Sequence, residues 1–302
     1  MSEVQHIEQH QSYSVDELTN SALADFAVQC VFRSSEITQP YPHVHQGYEW
    51  YFCLGGNGRF IAGERVYRMS EGSLVVVKPA VLHTPRPLAG ETFQRIVLTI
   101  DSDYLQGLYR MHAHLEQQLQ RWLPGDGSDS VHTELGTRQL PEVQEILLEL
   151  ERELADQREG YPLAVQSLLL RLFVALIRQA AAAAPVPQEE MRRKQLVEEM
   201  LGYITRMYKE PCSIDGMCRH FHLSRSYLQR LFKQETGFSI NGYWIACRIN
   251  RAKELLVQHQ SPLIEVAVDS GFQDLSHFCH MFKRVTGMTP GRYRALSRRP
   301  DA

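Results

Sequence analysis

The chain of 302 residues has a formal net charge of −3, 43% hydrophobic residues and six cysteines. That length is enough for two domains, each with its own core. The start of the chain has no apolar signal segment, no apolar run is long enough to span a bilayer, and the cysteines lack CxxC spacing, so we expect a cytoplasmic protein with reduced thiols and no membrane partner.

The charge is divided unevenly along the chain. From Glu189 to Ala302 there are 18 Lys and Arg against 12 Asp and Glu, a balance of +6. The first 188 residues have 14 against 23, a balance of −9. A basic part that faces phosphates, joined to an acidic part that avoids nucleic acid, would have this asymmetry.

A polar segment, residues 1–25, precedes a β-rich region over residues 26–100. Many short runs of β-forming residues at close spacing predict a sandwich or a small barrel. The predicted strands, separated by turns that contain Gly and Pro, are Ala27–Phe32, Glu49–Leu54, Gly58–Ala62, Leu74–Val77 and Phe93–Ile100.

Within this region His43 and His45 are followed by Glu49 and, further along, by His83. This pattern resembles that of the cupin barrel, which implies a ligand-binding domain. Residues two apart on a strand share a face, so His43 and His45 are both predicted to point into the barrel. Glu49, four residues after His45, points to the same face of the strand unless Gly47 introduces a bulge. His83 is predicted to reach the same group of side chains from another strand.

Two interpretations of this group stay open. Three imidazoles and one carboxylate suit a transition metal such as Fe, Mn, Ni or Zn. Alternatively, no cofactor is required, and the same groups line a pocket for a small molecule, a sugar among the options. The metal would be held by His43, His45, Glu49 and His83. The predicted pocket is lined by His43, His45, Glu49, Trp50, Arg59 and His83.

Predicted helices complete the N-terminal domain over residues 101–179. The first is Asp101–Trp122, and the last, Tyr161–Ile177, is apolar nearly all round, which predicts a buried helix. Between them lies a helix with an a/d seam of two heptads, which predicts either a dimer contact or a helix docked on its own barrel. The seam consists of Leu140, Val143, Leu147, Leu150 and Leu154. Residues 180–188, rich in Ala and Pro, are the predicted linker.

One pattern occurs twice in the C-terminal part, residues 189–302. Phe232-Lys233 with Thr236-Gly237 recurs fifty positions later as Phe282-Lys283 with Thr286-Gly287. Each copy predicts a helix, a turn and a second helix that ends at Gly, which is a helix-turn-helix unit. The second helix of the first copy has four apolar residues on its predicted buried face, namely Tyr227, Leu228, Leu231 and Phe232. A plain helical bundle with a duplicated hairpin is the alternative.

The order of residues in this part resembles the DNA-binding domain of AraC/XylS-type transcription regulators. The residues that carry the resemblance include Ser224, Tyr227-Leu228, Arg230, Phe232-Lys233, Gly237, Gly271-Phe272, Asp274, Phe282-Lys283, Gly287, Pro290 and Tyr293-Arg294. Met217 and Ile240 depart from the family, which usually has Ala and Pro there. The resemblance implies two helix-turn-helix units joined by a long helix, here Asn241–His259. One chain would then contact two major grooves about one DNA turn (~34 Å) apart.

The resemblance also assigns the contacts of the first recognition helix. Ser226, Gln229 and Arg230 are expected to face base edges, where Arg230 suits guanine and Gln229 suits adenine. Arg225 and Lys233 are better placed for phosphates.

In the second recognition helix the matching positions have few strong hydrogen-bond donors, so we expect this half of the site to be recognised less by base contacts and more by shape. The base-facing positions are Leu275, Ser276, Cys279 and His280. Lys283 and Arg284 are expected to contact phosphates.

The sequence therefore predicts a transcription regulator with an N-terminal all-β cupin-type barrel followed by helices and a C-terminal all-α domain of two helix-turn-helix units. The expected partners are double-stranded promoter DNA, a small-molecule effector, a second copy of the chain and, for an activator, RNA polymerase. No catalytic residue is expected. Two alternatives are a metal-dependent cupin enzyme with a DNA-binding appendage and a constitutive DNA-binding protein whose barrel only dimerises.

Overall fold

The computed structural model describes Leu23 and residues 26–34, 41–112, 114–178, 188–258 and 260–297. Almost all of the predicted polar segment and of the predicted linker lies outside these ranges. Contacts divide the chain into two units, one of Thr19–Thr38 and Val44–Glu198, the other of Met1–Leu18, Gln39–His43 and Glu199–Ala302. The boundaries 26–100, 101–179 and 189–302 stay a prediction.

Among the described residues of the N-terminal unit, eight strands form a five-stranded sheet of order β1-β7-β2-β5-β8 and a three-stranded sheet of order β4-β3-β6. All neighbouring strands are antiparallel. The strands are β1 (Val28–Arg33), β2 (Tyr48–Gly55), β3 (Gly58–Ala62), β4 (Arg65–Met69), β5 (Ser73–Val77), β6 (His83–Pro87), β7 (Gln94–Ile100) and β8 (Ser130–Glu134). The predicted β-rich domain is confirmed, although β4, β6 and β8 were not predicted.

Strand β2 separates two apolar cores because its side chains point alternately to opposite faces. Tyr51 and Cys53 belong to the core between the two sheets, together with Phe60 of β3. Trp50 and Phe52 face the other way and belong to a core shared with helices. All of these side chains are buried, and each large one stabilises the fold by roughly 1.5–3 kcal/mol through the apolar surface that it removes from water.

The helices of this unit are α1 (Ser102–Met111), α2 (Leu115–Leu119), α3 (Leu140–Asp156) and α4 (Tyr161–Ile177), with a 3-10 turn at Gln120–Trp122. Asp101 caps α1 by accepting hydrogen bonds from the backbone N–H groups of Asp103 and Tyr104. The single helix predicted over residues 101–122 is wrong, because α1 ends at Met111 and α2 starts after His114, whose φ is +75°. The helix predicted over Tyr161–Ile177 begins and ends at those residues. It is not buried all round as predicted, because Leu163 and Val174 on its outer face are exposed.

The a/d seam of α3 is part of the core of its own domain. Val143, Leu147 and Leu150 are buried there, and Leu140 and Leu154 pack against the same core. Two hydrogen bonds attach α3 to β1, one from the Cys30 thiol to the Leu147 carbonyl (3.5 Å) and one from the Phe32 N–H to Glu151 (2.7 Å). The structure therefore agrees with the second prediction, a helix docked on its own barrel.

The remaining helices are α5 (Gln188–Met207), α6 (Ile214–Phe221), α7 (Arg225–Thr236), α8 (Ile240–Gln258), α9 (Leu263–Asp269), α10 (Leu275–Thr286) and α11 (Pro290–Ser297). Helices α6 and α7 form one helix-turn-helix unit and α9 and α10 form the other, with α8 between them. At ~1.5 Å per residue α8 is ~28 Å long. The predicted all-α domain with two units and a connecting helix is confirmed.

The two copies of the sequence repeat have the same local structure. The Thr236 hydroxyl donates to the Phe232 carbonyl (2.7 Å) and accepts from the Phe238 N–H (3.2 Å). Fifty residues later, the Thr286 hydroxyl donates to the Phe282 carbonyl (2.8 Å) and accepts from the Met288 N–H (3.3 Å). Each recognition helix thus ends with one threonine that satisfies two backbone groups where helical hydrogen bonding stops.

Side chains of α8 attach it to the chain that follows α5. The Arg248 guanidinium donates to the carbonyls of Tyr208 and Glu210, each at 2.6 Å, and the Trp244 indole donates to the Tyr208 carbonyl at 3.0 Å. Gly271 is required beside this contact, because its φ is +89° and a Cβ would lie 2.8 Å from the Lys209 Cα.

None of the six cysteines forms a disulfide. Burial raises the pKa of the Cys53 thiol to about 11 and that of Cys247 to about 12, so both remain protonated thiols near neutral pH. Within the part of the chain that the structure describes, the helices are too short or too polar for any of them to cross a membrane.

Candidate DNA-binding face and candidate ligand pocket

Helix α7 presents a polar face. Ser224 caps the helix by accepting a hydrogen bond from the Tyr227 N–H, and Gly237, with a φ of +77°, ends it. Leu228, Leu231 and Phe232 are buried. The predicted base-contacting residues, Ser226, Gln229 and Arg230, are all exposed on the other side of the helix. Their chemistry can match the donor and acceptor pattern of base edges in a major groove.

The start of α7 carries an ion pair that the sequence analysis missed. The Arg225 guanidinium lies 2.7 Å from the Asp215 carboxylate of α6. The hydrogen bond and the charge of the guanidinium lower the pKa of Asp215, and the same hydrogen bond and the charge of the carboxylate raise the pKa of Arg225. Lys233, the other predicted phosphate contact, is exposed near the end of the helix.

Tyr227 was predicted to be buried, and this prediction is wrong, because 36% of the residue is exposed. Leu228, Leu231 and Phe232 already fill the inner face of α7, so the tyrosine ring lies at the edge of the polar face. Helical spacing alone could not separate these positions, since an aromatic residue beside a leucine fits either side.

Helix α10 differs from α7 in its exposed residues. Asp274 caps it by accepting from the N–H groups of Ser276 and His277, which lowers the pKa of its carboxyl group. Ser276 and His280 are exposed, and so are Lys283 and Arg284 at the far end.

Two of the four predicted base-facing residues of α10 have side chains that are partly buried. Leu275 and Cys279 are half-buried and pack against the core of the second unit. His277, which the sequence analysis did not select, is exposed. The half-buried placement of Leu275 and Cys279 agrees with the expectation that α10 contacts bases less than α7 does, which stays a prediction.

We expect base changes under the second unit to weaken binding less than base changes under the first. Leu275 and Cys279 are half-buried and offer no strong donor, whereas Gln229 and Arg230 are exposed and can donate hydrogen bonds to bases. Substituting every base pair of a bound duplex in turn, with binding measured at one salt concentration, provides the comparison. Equal penalties in the two halves would contradict this expectation.

A buried carboxylate lies between two imidazoles at one end of the space between the sheets. Glu49 Oε2 is 2.8 Å from His45 Nε2, and Glu49 Oε1 is 3.4 Å from His83 Nε2. His45, Glu49 and His83 are 3%, 5% and 1% exposed. With His43 these residues offer four ligand atoms that all lie within 4.8 Å of one another.

His43 and His45 do not lie on the predicted strand. His45 precedes β2 on an irregular segment, and Gly47 has a φ of +87° where a Cβ would lie 2.8 Å from the Ile100 carbonyl oxygen. The turn at Gly47, which replaces the predicted strand, brings His45 back toward Glu49 on β2. The predicted convergence is thus observed with a different backbone.

Backbone carbonyls fix the tautomers of both buried imidazoles. His45 Nδ1 lies 3.1 Å from the Gln46 carbonyl and His83 Nδ1 lies 2.8 Å from the Val81 carbonyl. Because a carbonyl oxygen only accepts, each Nδ1 carries a hydrogen. Each Nε2 then faces the carboxylate either as a second N–H or as a lone pair available to a cation, which is the arrangement that metal-binding histidines have.

Burial by itself raises the pKa of Glu49, but the charge of His83 and the hydrogen bonds from His45 and His83 outweigh it and hold the pKa well below its usual range. The carboxylate is therefore ionised inside the domain. A buried anion of this kind needs positive charge beside it, from protonated imidazoles or from a metal ion.

The other two predicted pocket residues do not join this group. Trp50 lies on the opposite face of β2 from Glu49, with its ring centroid 5.8 Å from that of Phe173 on α4. Arg59 alternates with Phe60 along β3, and Phe60 is the residue that faces the core between the sheets. In the sheet Arg59 is paired with Arg68 and Arg86 instead.

Comparisons with known proteins agree with both parts of this description. A family model described as an AraC-like ligand binding domain matches residues 26–173, and a model described as a helix-turn-helix domain matches residues 217–296. Among relatives, the chain is 28% identical over 264 residues to the HTH-type transcriptional activator RhaR of Salmonella typhimurium, covering 86% of this chain and 88% of that protein.

Solved structures are also similar to the chain. The C-terminal domain of AraT, a response regulator from Geobacillus stearothermophilus, is 28% identical, covering 34% of this chain and 87% of that one, with a TM-score of 0.33. ToxT from Vibrio cholerae is 14% identical, covering 89% of this chain and 97% of that one, with a TM-score of 0.35.

Proposed function

Because the chain belongs to the AraC family of helix-turn-helix transcription regulators, we propose that it binds operator DNA sequence-specifically under the control of a small molecule held in its N-terminal domain. The observation that carries the proposal is the exposed polar face of α7, set on a duplicated helix-turn-helix frame. Membership of this family makes the chain a transcription regulator and not an enzyme. The metal-dependent enzyme alternative is therefore set aside.

We propose that the regulator acts as an activator in the cytoplasm, with RNA polymerase as a partner. The similarity to a protein named a transcriptional activator supports activation over repression. The N-terminal part is acidic and the C-terminal part is basic, which supports effector binding by the first part and DNA binding by the second.

For the effector, we propose a small polar molecule that binds beside the buried histidines. His83 stacks on Phe60, with ring centroids 5.9 Å apart, and Tyr51 lies 4.8 Å from the same ring. Aromatic faces next to fixed polar groups are the surfaces that sugars contact, so sugars are the class to test first.

A second candidate role for the histidine group is to hold a divalent transition metal, and the donor set fits one. His45 and His83 present Nε2 while Nδ1 is committed to a backbone carbonyl, Glu49 supplies an anionic oxygen, and His43 supplies a fourth donor. A metal bound there would polarise an oxygen atom of a bound effector. These residues would orient the ion, and their burial would exclude water from it.

Elemental analysis of the purified chain should then find about one equivalent of transition metal, since one set of four donors holds one ion. His45→Ala should remove it, because the ion loses a ligand whose orientation is fixed by the Gln46 carbonyl. His132→Ala is the matched control, since His132 lies on β8 outside the group. A metal-free chain that still responds to its effector would show that the group is polar lining.

We propose a homodimer that uses the outer face of α4 and not the seam of α3. On α4, Leu163 and Val174 are 74% and 42% exposed. They border a groove of about 680 Å³ whose other walls include Arg171 and Glu142. An apolar strip flanked by both signs of charge can pair with a second copy of itself about a two-fold axis.

The test of the proposed function compares the whole chain with a fragment of residues 189–302. A ligand changes DNA affinity only through unequal affinity for two states of the protein, usually by 5- to 150-fold. We expect the whole chain to have the mass of a dimer and to change its affinity for a selected duplex with one member of a sugar panel. The fragment should bind without any ligand, more weakly because avidity is lost.

Salt concentration is held constant throughout, because phosphate contacts make affinity depend on it. A whole chain that binds the same half-sites with the same affinity under every condition would favour the constitutive alternative. Residues 184–187 of the predicted linker lie outside the described residues.

A further inference from the structure

The Arg230 guanidinium lies over the ring of Tyr227. Its Cζ is 5.7 Å from the ring centroid. The two residues are three positions apart on α7 and are therefore neighbours on the helix surface. Tyr227 is 36% exposed, but its side chain has two rotatable bonds where that of Arg230 has four or more, so the ring is the less mobile of the two side chains.

A flexible arginine loses conformational freedom when it forms two hydrogen bonds with one base. A neighbour that holds the guanidinium in advance reduces that loss, and an exposed cation–π contact is strong enough for a bias of about two- to fivefold. We infer that Tyr227 is a positioning residue that preorganises Arg230 for base recognition. This inference rests on the proposed DNA-binding function and adds a residue to it.

The second unit provides an internal comparison. The corresponding positions, fifty residues later, are occupied by His277 and His280. The His277 ring contacts Phe272, with centroids 5.6 Å apart, so it packs toward its own unit. In α7, by contrast, Arg225 is also held, by Asp215 at 2.7 Å. Two arginines of the first recognition helix, Arg225 and Arg230, thus contact a neighbouring side chain, and at the positions that match Tyr227 and Arg230 the second helix has histidines.

The competing role for Tyr227 is a hydrogen bond from its hydroxyl to a DNA phosphate. Tyr227→Phe separates the two roles because it keeps the ring and removes the hydroxyl. Each of Tyr227→Phe and Tyr227→Ala is made with Arg230 present and in an Arg230→Ala background. Affinity is measured for a duplex selected from a random pool, for each of its single-base variants and for random DNA, at one salt concentration.

We expect Tyr227→Phe to behave as the unmodified chain does. Tyr227→Ala should lose about two- to fivefold on the selected duplex, only at the base pair that Arg230→Ala identifies, and should lose nothing further in the Arg230→Ala background. An equal loss on selected and random DNA in Tyr227→Phe would assign the hydroxyl to a phosphate and overturn the inference. Additive losses in the double variant would overturn it as well.

A measurement without DNA keeps this inference separate from the proposed function. In the free full-length chain, NMR should show the side-chain protons of Arg230 shifted upfield by the ring, and the shift should disappear in Tyr227→Leu. A chain without sequence preference would refute the proposed function, whereas Arg230 protons that do not respond to Tyr227→Leu would refute the positioning role.

Discussion

Phe282→Ala should lower the free energy of unfolding of the C-terminal unit by about 3–5 kcal/mol, the usual cost of deleting a buried phenylalanine side chain. Phe282 is 0% exposed, and its ring centroid lies 5.7 Å from that of Phe278 and 5.5 Å from that of Tyr293. The space it leaves is enclosed by α10, α11 and the connecting helix, so the surroundings can collapse only in part. Urea denaturation followed by circular dichroism measures the change.

The next residue provides the matched control. Lys283 is exposed, so Lys283→Ala should change the unfolding free energy by less than about 0.5 kcal/mol. It should nevertheless weaken binding to all DNA if it contacts a phosphate. An unfolding free energy of Phe282→Ala within about 0.5 kcal/mol of the unmodified chain would contradict the described core of the second unit.

Arg230→Ala should cost about 1–3 kcal/mol at one base pair of the operator and relax specificity there. The guanidinium is exposed on the polar face of α7, and one arginine can donate two hydrogen bonds to a guanine. Binding to random DNA should change far less. The measurement is affinity for the selected duplex and for its variants at that base pair.

Lys233→Ala serves as the comparison for this prediction. A residue that contacts only phosphate weakens binding to every sequence alike and reduces the slope of log affinity against log salt by about 1. If Arg230→Ala shows the Lys233 pattern, with equal losses on selected and random DNA, then Arg230 contacts the backbone and the assignment of the base-reading face is wrong.

The strands that sequence reasoning missed share a position in the sheets. In the observed order, β4 and β6 are the two edges of the three-stranded sheet and β8 is an edge of the five-stranded sheet. Edge strands need less apolar sequence, and they tolerate proline because one side of the backbone has no partner strand. Pro85 and Pro87 therefore made β6 difficult to predict as a strand, whereas the central strands were easy to predict from their apolar sequences.

The helices of the C-terminal part were easier to predict because the spacing of their apolar residues and the repeat of the sequence after fifty positions indicate the same elements. The Phe-Lys and Thr-Gly repeat fixed both recognition helices, and the same threonine hydrogen bonds appear in each copy. The periodicity of apolar residues could not show which face of a strand or helix packs against which part of the domain. Trp50 was predicted to line the pocket, but adjacent strand residues point to opposite faces, and Trp50 faces away from Glu49.

The candidate site was predicted in part for the same reason. Residue types indicated the buried group of His45, Glu49 and His83, although the turn at Gly47 that brings His45 to Glu49 needed the structure. The contacts of Asp215 with Arg225 and of Tyr227 with Arg230 carried no signal in the sequence, because each depends on the distance to an arginine of α7. Contacts of this kind follow from the tertiary arrangement and not from spacing along the chain.

Selection of duplexes from a random pool by the full-length chain, followed by footprinting of the selected duplex, tests the central claim most directly. Two helix-turn-helix units joined by a helix of ~28 Å should protect two blocks of bases about one DNA turn (~34 Å) apart for each chain. The block under α7 should be the more strictly defined. No enriched sequence, or a single protected block per chain, would contradict the account.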